Sequence, residues 1–231
     1  MRVARILLIV GVILGGLFVA ADRIAVNVAE NRAASGAQTS QGLSSKPKVS
    51  IGGFPFLSQV AAGKLDDVKI TADGIAAGSG GQSVRINSFH ADLHGVKLSN
   101  GYHTAVADSA SGSAFLTYAD LTKAAPAGVT VTYGGADKSG RPMVKLTGSF
   151  QGATLSVLSQ ISVRGANGIG LHALGLPTAF TALGLDSVVR QMIDFTTQLA
   201  HLPSGISLTG VTTTADGISV AAGGKHVVLA H

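Results

Sequence analysis

The residues whose types could do chemistry in this chain are few, and their spacing works against them. His90 and His94 are four apart, the interval at which a helix presents two metal ligands side by side. They sit in a strand-like stretch, however, where four residues separate them by roughly 13 Å, too far for one ion. Asp66 and Asp67 are adjacent, and in a strand neighbours point to opposite faces, so they are not a glycosidase pair and read as a solvated strand start. Ser111 and Ser113 lie in a flexible Ala-Ser-Gly-Ser-Ala stretch with no histidine at a fixed spacing to activate them. Gly78 to Gly81 reads as a loop, because no helix clearly follows to complete a phosphate cradle. The G-x-S-x-G elbow, the H-E-x-x-H pair, the Walker loop and the G-x-G-x-x-G fingerprint are all missing. Cysteine is absent, which excludes thiolate chemistry, disulfides, Cys-based zinc or iron–sulfur sites and a lipoprotein anchor. The expectation is a protein without catalytic residues, metal or cofactor.

One local feature stands apart. In Phe54-Pro55-Phe56 the proline holds the residue before it in extended geometry and stiffens the pair of rings. The commoner role for two such rings is to plug one end of a core. The functional role is to close the mouth of an apolar groove, or to touch lipid.

The elements that must position these residues are mostly strands. Val144, Leu146 and Phe150 fall on one face, with Lys145, Thr147, Ser149 and Gln151 opposite. Leu155, Val157, Ile161 and Val163 fall on one face, with Thr154, Ser156, Gln160 and Ser162 opposite. Val129, Val131 and Tyr133 alternate with threonines. Period two with a polar opposite face predicts antiparallel strands that each bury one side. Val84–Leu98 and Thr104–Leu116 read as longer strands, bulged near glycine or serine. A strand is also expected over Pro47–Ile51, then a short helical stretch to Ala62 and a further strand from Leu65. One helix stands out: Asp186 and Ser187 can cap it, and Val188, Val189, Met192, Ile193, Phe195 and Leu199 form a broad apolar stripe ended by Pro203-Ser204-Gly205. A shorter helix is predicted over Tyr118–Ala124. The segment Val68 to Ile75 is echoed by Val211 to Ile218, each ending in Thr-Ala-Asp-Gly-Ile. Asp-Gly between apolar runs predicts a hairpin at each, as either two hairpins with a common turn or a duplicated half-sheet.

The N-terminus sets the compartment. Ile6 to Ala21 is sixteen residues without a charge, preceded by Arg2 and Arg5. Basic residues before an apolar run orient it with its N-terminus in the cytoplasm, so the rest of the chain is exported. The run is near the lower limit for a span, and Val19-Ala20-Ala21 offers small residues suited to signal-peptidase cleavage. Ile24, Ala25, Val28 and Ala29 continue at helical spacing and favour an uncleaved anchor, with a stalk reaching about Ala34. The predicted organisation is a signal or anchor helix and stalk over 1–35, a linker over 36–46 and a β-rich domain over 47–231. Setting aside Arg2 and Arg5 leaves 15 basic against 12 acidic residues, too dilute and unclustered for a nucleic-acid face.

Ile51-Gly52-Gly53-Phe54-Pro55-Phe56-Leu57-Ser58-Gln59-Val60, followed by Gly63 to Val68, resembles the LmeA-type phospholipid-binding family of actinobacterial cell envelopes. The resemblance extends to Asp22-Arg23 at the leader's exit, to Leu93-His94-Gly95-Val96, and to the terminal Thr214 to Ile218 segment. It implies an α+β, mostly β fold of tubular lipid-binding type, a curved antiparallel sheet wrapped around a long helix. It also implies an exported or membrane-anchored binder of phospholipid acyl chains in envelope lipid or lipoglycan metabolism, and it brings no catalytic residues. The trough such a fold would form is expected to have its mouth at Phe54, Pro55 and Phe56. Its lining is expected at Val144, Leu146, Leu155 and Val157 on the strands and at Val189, Met192 and Ile193 on the helix. Each buried methylene contributes about 0.8 kcal/mol, so useful affinity needs no specific polar contact. The rival reading is a non-catalytic scaffold that stabilises an envelope enzyme, its sheet filled by its own side chains. Partners expected are phospholipid, the cytoplasmic membrane through the N-terminal helix, and an envelope protein on the rival reading.

Overall fold

The computed structural model describes residues 2–40, 42–79, 82–101, 104–150, 153–174, 196–198 and 202–230. The chain opens with α1 (Arg2–Ser40), which is about 58 Å long at the usual helical rise. Its two halves behave differently. Every side chain from Val3 to Ala21 is exposed, and this stretch is long and apolar enough to cross a membrane. From Asp22 onward the helix has an inner face: Asp22, Val26 and Ala34 are buried, and Ala25, Ala29 and Glu30 are half-buried, at helical spacing. The stalk is therefore packed on the domain. It also runs to Ser40, past the expected end at Ala34 and into the stretch expected to be linker. Within it the Ser35 and Thr39 hydroxyls donate to the carbonyls of Asn31 and Ser35, one turn back, which occupies their polar groups without leaving the helix.

The remainder is mostly β, in two antiparallel sheets. The first is built from β1 (Lys48–Ile51), β2 (Lys64–Ser79), β3 (Gln82–Ser99), β4 (Thr104–Thr117), β10 (Ile206–Thr213) and β11 (Gly217–Ala230), in the order β1-β2-β3-β4-β11-β10. The second is β5 (Thr130–Ala136), β6 (Pro142–Phe150), β7 (Ala153–Arg164), β8 (Gly168–Ala173) and β9 (Thr196–Gln198), in chain order. Neither sheet closes into a barrel. Two short helices complete the described residues, α2 (Phe56–Ala61) and α3 (Tyr118–Ala124). The second matches its predicted span, and it starts where the Thr117 hydroxyl accepts a hydrogen bond from the Asp120 amide.

Several expectations need correction. Ser111 and Ser113 are not in a flexible stretch; they lie mid-β4, paired with β3 on one side and β11 on the other. Asp73-Gly74 is not a hairpin turn. It lies within β2, where Gly74 takes a positive φ while Ser44 and Ser45 donate to the Gly74 and Asp73 carbonyls. The matching Asp216-Gly217 does form the β10–β11 turn, but Gly217 is needed there for space: a Cβ would come within 2.2 Å of the Leu116 carbonyl oxygen. Thr196–Gln198, expected within the long helix, pairs as a strand with β8, and β-branched Thr196 and Thr197 suit that state. Residues 175–195 and 199–201, which hold the rest of that helix and Val189, Met192 and Ile193, lie outside the described residues.

A row of irregularity crosses the first sheet. The β2–β3 ladder skips the step between Leu65 and Asp67, the β3–β4 ladder skips between His94 and Val96, and the β4–β11 ladder skips between Lys225 and Val227. Gly95 and His226 have positive φ in this row, at 62° and 51°. Beyond it the alternation changes phase, so Leu65 and Val68, Leu93 and Val96, and Ala107 and Ala110 all reach one cluster although each pair is three apart. A side chain at Gly95 would be strained at φ 62° and would have to push the Asp108 carboxylate aside. The face away from the core carries Lys69 opposite Asp92, and Lys64 and Lys97 on Asp108. Both amines draw on the Asp108 carboxyl, and the Lys97 hydrogen bond above all holds it below the usual range.

The apolar side chains gather in two clusters. The first joins α1, α2 and the β1–β4 part of the first sheet, around Val26, Val49, Phe56, Leu65 and Leu93. The second joins the two sheets, with Val144 and Ile161 against Leu208, Val211, Ile218 and Val220.

Candidate lipid-binding site

The Phe54-Pro55-Phe56 turn is held by side chains on both sides. Gly53 enters it at φ 87°, and Gln59, almost fully buried, donates from Nε2 to the Gly52 carbonyl and accepts from the Asp66 amide. The two rings then part company. Phe56 is 6% exposed in the first cluster, whereas Phe54 is 59% exposed. Phe56 thus takes the core role and Phe54 is free for contact with something outside the domain.

The turn is also tied to the helix where its apolar run ends. Asp22 Oδ1 accepts the Leu57 amide at 2.8 Å, and Asp22 Oδ2 accepts from Arg23 at 2.6 Å. The Arg23 guanidinium carbon lies 5.2 Å from the centre of the Phe54 ring, within cation–π range. Burial raises the pKa of the Asp22 carboxyl, but the Leu57 and Phe56 amides and Arg23 together outweigh it and hold the group below its ordinary value. The Asp22-Arg23 pair and the Gly-Phe-Pro-Phe turn, roughly thirty residues apart in sequence, are one structural unit.

The expected groove lining lies on the second sheet. Val144 and Val157 are buried at 1% and 4% exposure, and Leu146 and Leu155 are half-buried. Val144 packs in the second cluster with Leu146 beside it. Ser159 shares the inner face of β7 with Val157 and Ile161. Its hydroxyl is fully buried and has no hydrogen-bond partner among the described residues. Sequence reasoning passed over Ser159, although its place between Val157 and Ile161 at period two marked it as inward-facing.

The candidate chemical residues are dispersed. His94 pairs with Asp67 across β2 and β3, while His90 stands opposite Thr71. No group of three or more His, Asp or Glu that could hold a metal occurs among the described residues. A cleft of about 440 Å³ is lined by Ser44, Ser45, Asp73, Gly74, Arg85 and Asn87, with no large apolar side chain to hold an acyl chain.

No curated protein and no solved structure matches the chain. The family model for LmeA-like phospholipid-binding proteins matches residues 20–223, beginning two residues before the buried Asp22 and taking in both apolar clusters except Val227. The chain belongs to the LmeA-like phospholipid-binding family.

Proposed function

We propose that this protein is a non-catalytic binder of phospholipid acyl chains, anchored by α1 or exported, and that it serves cell-envelope lipid or lipoglycan metabolism. Family membership supports phospholipid as the partner, and the exposed apolar half of α1 suits an anchor or signal sequence. The observation that carries the acyl-chain reading is the state of the second cluster. Among the described residues it has six buried members and ten only partly buried ones, including Leu146, Val163, Ile169 and Leu171. Apolar surface left half-covered between two sheets is where a hydrocarbon tail gains most by burial, at about 0.8 kcal/mol per methylene. The Ser159 hydroxyl on the same wall, without a partner among the described residues, would serve as a donor to a lipid ester oxygen. Phe56 packs in the first cluster and Phe54 lies at the α1 junction, so the groove proposed here is lined from the second cluster and does not take its mouth from the Phe54-Pro55-Phe56 turn.

The scaffold reading is favoured by one observation: Val144, expected to line the groove, is 1% exposed among the protein's own side chains. Lipid extraction separates the two. Residues 22–231, which keep every buried position of α1, would be released by protease at a site engineered before Asp22 and extracted with organic solvent for mass spectrometry. Phospholipid near one equivalent supports the binder. Lipid-free protein that also leaves liposomes untouched defeats it.

A further inference from the structure

We propose that the Phe54 ring, with Arg23 stacked against it, inserts into the headgroup–acyl boundary of the same bilayer that α1 crosses, and so seats the α2 end of the first sheet on that membrane. The inference rests on the reading of α1 as a retained span, and it adds a second point of contact. A span of sixteen to nineteen residues covers roughly 24 to 28 Å, close to the ~30 Å hydrocarbon thickness, so the hydrocarbon must end about where the apolar run ends. That end is Asp22-Arg23. The Leu57 amide is bonded to Asp22 and the Phe54 ring lies under Arg23, so the turn sits within about one helical turn of the boundary.

The chemistry at that level fits an interface. Phe54 is 59% exposed and stands beside a guanidinium that is half-exposed, an aromatic and cationic pair of the kind that settles between headgroups and acyl chains. Its surroundings continue the same end of the fold. The Leu98 amide near the end of β3 bonds the Gly63 carbonyl just after α2, and Leu229, 37% exposed, closes β11 beside the start of β4. The other exposed large apolar side chains of the β-rich part, Tyr133, Leu158 and Leu174, lie on or beside the second sheet, away from this end. Docking here would hold the open-edged sheets at the bilayer surface.

The chain has neither tryptophan nor cysteine, so one introduced reporter is unique. Full-length Phe54→Trp would be placed in phospholipid nanodiscs, with Leu158→Trp as the distant reference. An indole at position 54 keeps the stack on Arg23. As a second reporter, Ser58→Cys carrying an environment-sensitive fluorophore probes the exposed side of α2. The expected result is blue-shifted emission from the indole at position 54, quenched by lipids brominated near the headgroup end of their chains, and a blue shift at position 58. The reference indole at position 158 should stay water-like and unquenched. Chain that resides in the disc but shows water-like emission at both 54 and 58 overturns the docking and leaves the span intact. Chain that is not retained by the disc overturns both.

Discussion

The two apolar clusters are built by opposite means. The first is closed by elements that leave the sheet and return over it: the outer half of α1, then α2 with Phe56 as its plug. Eleven of its described members are buried and nine partly so. The second is closed, among the described residues, mainly by one sheet meeting another, with Tyr118 and Leu121 of α3 at its side, and its partly buried members outnumber the buried ones. A helix laid along a sheet can fill the hollow between its strands, whereas two twisted sheets diverge and leave apolar surface half-covered. Among the described residues, the first region is thus mostly buried, and the second keeps more of its apolar members half-covered.

Substitutions should separate the two. The largest effect is expected at Phe56→Ala, which empties the plug of the first cluster and should cost about 3–5 kcal/mol in chemical denaturation. Phe54→Ala, two residues away, should change stability by less than about 0.5 kcal/mol. If both cost the same, the division of labour between the rings is wrong. Ile161→Ala in the second cluster should cost about 2–3 kcal/mol. Phospholipid should restore part of that loss by mass action, which it should not do for Phe56→Ala. Equal rescue of both, or of neither, would erase the contrast. Ser159→Ala removes a buried hydroxyl without a partner among the described residues, so in lipid-free protein it should be neutral or stabilising by about 1 kcal/mol. A clear loss of stability would mean the hydroxyl is bonded.

An alkaline pH effect marks the second region. Tyr118 donates to the Thr214 carbonyl, and burial, with Tyr133 nearby, pushes its phenol up to about 12 from 10.0. The folded state thus holds this proton more tightly than the unfolded chain. The contribution is complete below pH 10 and is lost as pH rises toward 12. Phenolate absorbance should show Tyr118 titrating late, and Thr214 should lose its tie to α3 over that window. A Tyr118 phenol that ionises near 10 would contradict the buried placement.

How much of this was legible depended on whether local pattern or distant packing decided the outcome. The alternation through β6 and β7, the cap and span of α3, and the exposed apolar run of α1 follow from neighbouring residues, and all were readable. The outer half of α1 was readable as a helical stalk to about Ala34, but its packing on the sheet was not. Its small inward residues, Ala25, Ala29 and Ala34, give a weak stripe, and only the sheet beneath makes them core. The change of phase at Gly95 and His226 was also hidden in part: a bulge near a glycine was expected, but a row spanning three ladders is a property of the sheet. At the site, the Phe-Pro-Phe turn was legible as a unit. Its union with Asp22 and Arg23, and the opposite fates of its two rings, depend on a contact between segments distant in sequence. Ser159 was missed because a serine does not register in an apolar count.

The most direct test of acyl-chain binding uses a phospholipid with a photoreactive diazirine near the end of one chain, incorporated with the full-length protein in nanodiscs and mapped by peptide mass spectrometry. Labelled peptides are expected from β6 and β7, over Pro142–Phe150 and Ala153–Arg164, in addition to the span. Label confined to α1 and the turn around Phe54, with β6 and β7 clean, would contradict acyl-chain binding between the sheets.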